Sequence, residues 1–213
     1  MKGLLKELVA VGALDAYSGD ETHLPALLGG IDLIRKGAFA AAVRLLGTTS
    51  RWGTAEVALI RQFAPLGGLL NAAAEEQHGA FGKPFGGELG FFWGAVLGDD
   101  AGKVGDFYKG ADEFITRVVG LRYGGRLERL DDLSPGEPVT LIWQKNNPHD
   151  PHAILVLNPQ GDDLGYLRRG IAYQLAQRLK KKAALSGNVT AVLGEEFDPN
   201  ERLYVRVKVM QAG

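Results

Sequence analysis

The stretch Ile115-Thr116-Arg117-Val118-Val119-Gly120-Leu121-Arg122-Tyr123 is where this 213-residue chain changes its hydrophobic period. Upstream of it, apolar residues recur at helical spacing. From Ile115 onward they alternate with a period of two, the pattern of a half-buried strand. Val139, Leu141 and Trp143 alternate with Thr140 and Ile142 in a second expected strand. Ala153 to Leu157 reads as a third, short, mostly apolar and therefore buried, and Leu164 to Leu167 as a fourth. Ile171, Leu175, Ala176 and Leu179 mark a helix that runs into Lys180-Lys181-Lys182 and closes near Gly187. Val189 to Leu193 is a fifth strand. Leu203, Val205, Val207 and Val209 alternate with Tyr204, Arg206 and Lys208 in a sixth. Turn signals separate these segments: Gly124-Gly125, Ser134-Pro135-Gly136, Asn147-Pro148, Pro159-Gln160-Gly161 and Asp198-Pro199-Asn200. Short strands at this spacing with a single helix predict a small β-barrel, the helix plugging one end.

Residues 1 to about 76 are expected to be helical. Leu4, Leu5, Leu8, Val9 and Val11 share one helical face, and Ile31, Ile34, Ala38, Ala41 and Leu45 another. Thr54 is placed to cap a helix carrying Val57, Leu59, Ile60 and Phe63, which Pro65 and Gly67-Gly68 then break or kink. Residues 77–111 form a glycine-rich connection; 10 of the 32 residues from Gly79 to Gly110 are glycine. Gly82, Gly86, Gly90, Gly94, Gly98 and Gly102 fall four apart. On a helix they would line one face and let a second backbone approach, a glycine zipper. Phe85, Leu89, Phe91, Phe92, Trp93, Val96 and Leu97 would cover the other faces. A loop, tight protein packing and membrane contact are the three readings of this segment. Membrane contact is the least expected, because the apolar run is too short to span a bilayer. The fold class is therefore α+β: a helical region 1–76, a connection 77–111, and an OB-like β-barrel with one or two helices over 112–213.

Composition narrows the function. The chain has 24 Lys+Arg against 25 Asp+Glu, a net charge of −1, so bulk charge does not carry it onto nucleic acid. It has no cysteine, which excludes a disulfide scaffold, a thiolate zinc site, an iron–sulfur cluster and a cysteine nucleophile. Neither a secretion signal nor a run of about 20 uncharged apolar residues is found, so a cytoplasmic location is expected. His149-Asp150-Pro151-His152 could supply two imidazoles and a carboxylate to zinc, but no distal ligand is suggested. With no nucleophile elbow, phosphate loop or paired-carboxylate motif, neither enzyme activity nor a cofactor or metal is expected.

Four blocks stand in order along the second half: Val118-Val119-Gly120-Leu121-Arg122-Tyr123; Gly136-Glu137-Pro138-Val139-Thr140-Leu141; Asn147-Pro148-His149-Asp150-Pro151-His152-Ala153-Ile154; and Gly165-Tyr166-Leu167-Arg168-Arg169 with Ile171-Ala172. Together they resemble a HIRAN domain, over about residues 114–210. That module is found at the N-terminus of remodelling ATPases and alone in bacterial proteins. Residues 1–110 resemble no family. The resemblance implies a modified OB-like barrel that binds single-stranded DNA and captures a free 3′ end. It implies that Tyr123 stacks on a terminal base and Arg122 holds backbone or base edges. Asp150, with Asn147 nearby, meets the 3′-hydroxyl, and Arg168 and Arg169 contact phosphates. Tyr166 and His149 complete the set. Gly124 stands where the family has a second aromatic, and His149 where it usually has tyrosine.

Elementary chemistry agrees with those roles. An exposed ring offers a stacking face to any base. A carboxylate accepts a hydrogen bond from a hydroxyl but repels a phosphate. Structural readings stand beside them: Tyr123 at the edge of the core, Arg122 paired with Glu128 or Asp131, Asn147 and Asp150 shaping the turn, and Arg168, Arg169 and Lys180–Lys182 merely solvated. The row Tyr204, Arg206, Lys208 is a second face that DNA could use. The expected function is a non-enzymatic single-strand or 3′-end binder in DNA repair or replication stress. The rival is a structural or interaction protein, whose barrel docks partners and whose glycine-rich segment mediates helix pairing or membrane association; a protein partner or self-association is in either case expected through residues 1–110.

Overall fold

Glycine and proline cut the helical periodicity of the first hundred residues into short helices. The computed structural model describes residues 2–49, 52–77, 87–104 and 107–211, and falls into two compact units, Met1–Gly105 and Asp106–Gly213. The first unit contains α1 (Lys2–Ala10), α2 (Leu24–Lys36), α3 (Phe39–Leu46), α4 (Thr54–Phe63), α5 (Leu66–Gln77) and α6 (Gly87–Leu97). The face from Ile31 to Leu45 is not one helix. Gly37 adopts φ +82° and ends α2 by donating its N–H to Ile34 O, so α3 starts afresh. Thr54 is the first residue of α4 rather than its cap. Gly53 precedes it, and Glu56 reaches back to accept the Gly53 N–H at 2.9 Å. Pro65 breaks the chain as expected, and α4 and α5 meet at 118°.

Within the glycine-rich connection, Gly82, Phe85 and Gly86 lie outside the described residues, and the segment from Gly87 is helical. Among the described residues, a Cβ on Gly94 would meet no atom within 4 Å. Gly98, at φ +55°, follows the end of α6. Phe92, Trp93, Val96 and Leu97 are buried with Leu27, Ile31, Ile34, Phe39, Leu46 and Ile60 in the core of this unit. Each such side chain contributes roughly 1.5–3 kcal/mol by leaving water. No single described helix is long and apolar enough to cross a membrane.

The second unit opens with the short α7 (Phe107–Gly110) and continues β1 (Glu113–Val119), β2 (Pro138–Trp143), β3 (Ile154–Leu157), β4 (Asp163–Leu167), α8 (Arg169–Lys180), β5 (Ala184–Val192) and β6 (Leu203–Met210). The strands close into an antiparallel barrel in the order β1-β4-β3-β2-β5-β6. Phe114, Val118, Ile154, Val156, Leu164, Leu167, Val205 and Val207 fill it, and α8 buries Ile171, Ala172, Leu175 and Ala176.

Three expectations are corrected, by a turn, by close packing and by a register shift, in that order. β1 ends at Val119, not Tyr123, because Gly120 turns the chain at φ +83°. Gly187 is not the end of the helix. It lies within β5, where a Cβ would sit 2.9 Å from Val139 Cγ2 and 3.0 Å from Arg206 O; α8 stops at Lys180 and β5 starts five residues before Val189, at Ala184. Tyr204 does not face outward. A register shift between Val189 and Ala191 of β5 interrupts the alternation opposite it, and Leu203, Tyr204 and Val205 are buried in succession. Arg206 and Lys208 of that row are both ion-paired with Glu113.

Candidate nucleic-acid interface

Two loops and one strand bring most of the expected residues together. The first loop leaves β1 at Gly120, whose N–H donates to Asn200 Oδ1 at 2.9 Å. Arg126 clamps it: Nη1 donates to Gly120 O at 2.7 Å, Nη2 to Asp163 Oδ2 at 2.6 Å, and the guanidinium carbon lies 5.3 Å from the Tyr166 ring centroid. Arg129 Nη1 adds a bond to Asp163 O at 2.5 Å. The clamped loop presents Tyr123 with 71% of its surface exposed, so it is not a core-edge residue. Gly124 and Gly125 take φ +65° and +70°. An aromatic at 124 would have to enter the left-handed region, which explains locally why glycine stands there. Arg122 pairs with neither Glu128 nor Asp131; its Nη2 donates to Asp198 Oδ2 at 2.7 Å.

The second loop runs from the end of β2 to the start of β3. Asn147 Oδ1 accepts the N–H groups of His149 (2.9 Å) and Asp150 (3.2 Å), while Nδ2 donates to Gln144 Oε1 at 2.8 Å. Tyr166 Oη, on β4, donates to the same Gln144 oxygen at 3.4 Å. Asp150 Oδ1 accepts the His152 N–H at 2.9 Å, and Oδ2 lies 3.3 Å from Arg169 Nε. The structural reading of Asn147 and Asp150 is thus correct: they shape this turn. It does not consume them. The Asp150 side chain is 18% exposed, and its charged partner, Arg169, is 80% exposed. His149 is exposed, whereas His152 packs edge-on against Tyr173 at 4.9 Å. Among the described residues, no three His, Cys, Asp or Glu side chains gather as a metal site.

Register ties the loops to one face. Val119 pairs with Tyr166, Tyr166 with Leu155, and Leu155 with Ile142, a row across four strands that stays partly exposed. Tyr166 sits inside this row, with Tyr123 on the loop leaving its β1 end and Asn147, His149 and Asp150 on the loop leaving its β2 end. Arg169 opens α8 directly after β4. Arg168 is set apart: it caps the same helix and is 8% exposed, so its guanidinium offers little surface to a phosphate. Sequence reasoning passed over Gln144, the acceptor shared by Asn147 and Tyr166, and Arg126, the clamp. Only position hinted at them: Gln144 follows a strand end three residues before Asn147, and Arg126 is the first charge after a double glycine.

The chemistry on offer is an exposed ring, a half-satisfied carboxylate, side-chain amides and an exposed guanidinium. Residues 112–211 match the family model of the HIRAN domain. A crystal structure of a protein from Lactobacillus plantarum is 27% identical, covering 47% of this chain and 94% of its own, with a TM-score of 0.39. The HIRAN domain of human HLTF is 29% identical, covering 46% of this chain and 76% of its own, with a TM-score of 0.35. No curated protein matches the chain.

Proposed function

Taking residues 112–211 as a HIRAN domain, we propose that the barrel binds single-stranded DNA and holds its 3′ end on the face between the two loops. The family match supports a DNA-binding role for this module. The observation that carries the finer reading is Tyr123: a large aromatic, mostly exposed, on a loop clamped by Arg126 and Arg129. A rigid platform loses little entropy when a base settles on it, and base–aromatic stacking contributes about 1–3 kcal/mol.

Asp150 is the acceptor for the terminal hydroxyl. A carboxylate has about four lone-pair sites, and the contacts to His152 and Arg169 leave room for another donor. The same charge disfavours a terminal phosphate. Asn147 and Gln144 hold the turn that aims it, and His149 and Tyr166 flank it. Arg122 and Arg169 meet phosphates, after exchanging Asp198 and Asp150 for them. Arg168, buried at the helix start, has no proposed contact. Residues 112–213 carry 14 Lys+Arg against 13 Asp+Glu, so affinity is modest and its salt dependence shallow. Such a binding module, without chemistry of its own, fits DNA repair or replication stress. The rival reading of an apolar docking face gains nothing at Phe92, Trp93, Val96 and Leu97, which are buried.

The test is fluorescence anisotropy of the full chain with single strands ending in a 3′-hydroxyl, a 3′-phosphate or a blocking hairpin, at fixed moderate salt. The hydroxyl end binds tightest, and Asp150→Asn, which keeps an oxygen for the His152 N–H, abolishes the preference. Tyr123→Ala weakens every probe about 5- to 100-fold. Equal affinity for the hydroxyl and phosphate ends reduces the reading to general single-strand binding. No binding to any probe removes DNA from the barrel.

A further inference from the structure

The end of β2 carries an aromatic side chain that the 3′-end site does not use. Trp143 pairs with Ile154 in the β2–β3 ladder, at the mouth of the barrel where the second loop begins. Its Nε1–H donates to Pro151 O at 2.8 Å, which pins the indole by one edge. Lys145 Nζ lies 4.6 Å from the ring centroid, over its face. Beside the ring is a depression of about 580 Å³, open to solvent and lined by Trp143, Gln144, Lys145, Asn146, Asn147 and Pro148.

The walls select the ligand class. They provide a flat aromatic face, an ammonium and three side-chain amides, with no carboxylate among them. Asn147 is taken up by the turn and Gln144 Oε1 by Asn147 and Tyr166, so the Asn146 amide and the Gln144 NH2 group are left to match the edge of a base, while the ring matches its face and the ammonium a phosphate. Metal cations find no anionic ligand here. The depression also shares Asn147 with the turn that aims Asp150, so whatever fills it adjoins the 3′-end site.

We propose that Trp143 and Lys145 form a second nucleotide subsite, in which a base stacks on the indole while Lys145 moves from the ring to the adjoining phosphate. The inference rests on the single-strand reading and extends it inward along the strand. The exchange is favourable. A cation over a ring at an exposed site is held more weakly than a stacked base, and the flexible lysine stem lets the ammonium stay close as it moves. The resting lysine also keeps the ring face covered when no DNA is present.

The experiment titrates the full chain with oligothymidylates of one, two, three and six nucleotides, reading anisotropy and tryptophan emission together. Affinity rises on adding the second or third nucleotide, and emission is quenched. Trp143→Phe keeps most of the affinity and removes the quench, since Trp52 and Trp93 belong to the other unit. Trp143→Ala loses about tenfold for the longer probes only. Lys145→Gln lowers the slope of log affinity against log salt by about 0.7, one phosphate contact on a single strand. Oligonucleotide binding with no quench in the wild type, and an unchanged affinity in Trp143→Ala, overturns the subsite and leaves the single-strand reading standing. Binding to no probe overturns both.

Discussion

The helical unit and the barrel each build a turn around a carboxylate, and they use it in opposite ways. In the helical unit Glu56 is 2% exposed. It accepts hydrogen bonds from Tyr17 Oη at 2.7 Å, Asp20 N at 3.2 Å and Gly53 N at 2.9 Å, with His23 Nδ1 at 3.5 Å. Burial alone would raise its pKa, but the hydrogen bonds from Tyr17 and from backbone N–H groups hold it below the usual carboxylate value. Burial and the Glu56 charge in turn push the Tyr17 hydroxyl up. In the barrel Asp150 has one oxygen on the His152 N–H, with His152 Nδ1 at 3.4 Å, and the other on an arginine that is itself mostly in water. A buried carboxylate whose oxygens are taken up by backbone N–H groups and a phenol is structural. One that shares its charge with an exposed side chain keeps a site that a ligand can enter. Both units pack aromatic residues inside, Phe39, Phe92 and Trp93 in the helical unit and Tyr108, Phe114 and Tyr204 in the barrel unit, but the barrel also holds Tyr123 and Tyr173 out to solvent.

Gly165→Ala is the sharpest way to break the comparison on the barrel side. Gly165 has φ +120°, and a Cβ there would lie 2.5 Å from Val119 O, so β4 could no longer approach β1. Strain and overpacking together cost at least about 3 kcal/mol. Urea unfolding followed by Trp143 emission shows the barrel transition moving to lower denaturant, and DNA affinity falls with it. Glu56→Ala is the matching break in the helical unit. It leaves the Asp20 and Gly53 N–H groups without their acceptor, and the Tyr17 hydroxyl with Asp20 O alone, and costs about 1–3 kcal/mol, while DNA affinity stays within twofold. Because the folded pKa of Glu56 is lowered, its stabilisation is present above the ordinary value of 4.5 and is lost as pH falls below it. Glu56→Gln flattens that acid limb.

Glu76 gives the smallest effect and the opposite sign. Burial pushes its carboxyl up from 4.5 to about 7. The folded state therefore holds a proton that the unfolded chain releases, and stability declines as pH rises from about 4.5 to about 7. Glu76→Gln removes the decline and raises the melting temperature at pH 8 without changing it at pH 4. Partial exposure keeps the gain below about 1 kcal/mol.

Much of the barrel was legible because its signals are local. Alternation located β2 and β6, short apolar segments between turn signals located β3 and β4, and helical spacing located α8. The residues proposed at the 3′-end site lay within motifs of a few residues each. The errors have two sources. The face from Ile31 to Leu45 was cut by a left-handed turn at Gly37, whereas Gly187 was misplaced because the neighbouring β2 and β6 decide its role. Arg122 found its acid at Asp198, 76 positions away, and no spacing rule reaches that far.

By itself, the sequence determined a helical half, an alternating half, and which short motifs hold the rings, amides and charges. Those follow from backbone propensity and hydrophobic period, which act over a few residues. Only the tertiary structure decided which of these side chains meet water. Barrel closure buried Tyr204 and Arg168, left Tyr123 and Arg169 outside, and placed Gln144 between Asn147 and Tyr166. Exposure and long-range partners depend on what packs against a residue, and that is set by strand register and loop anchoring rather than by its neighbours in the chain.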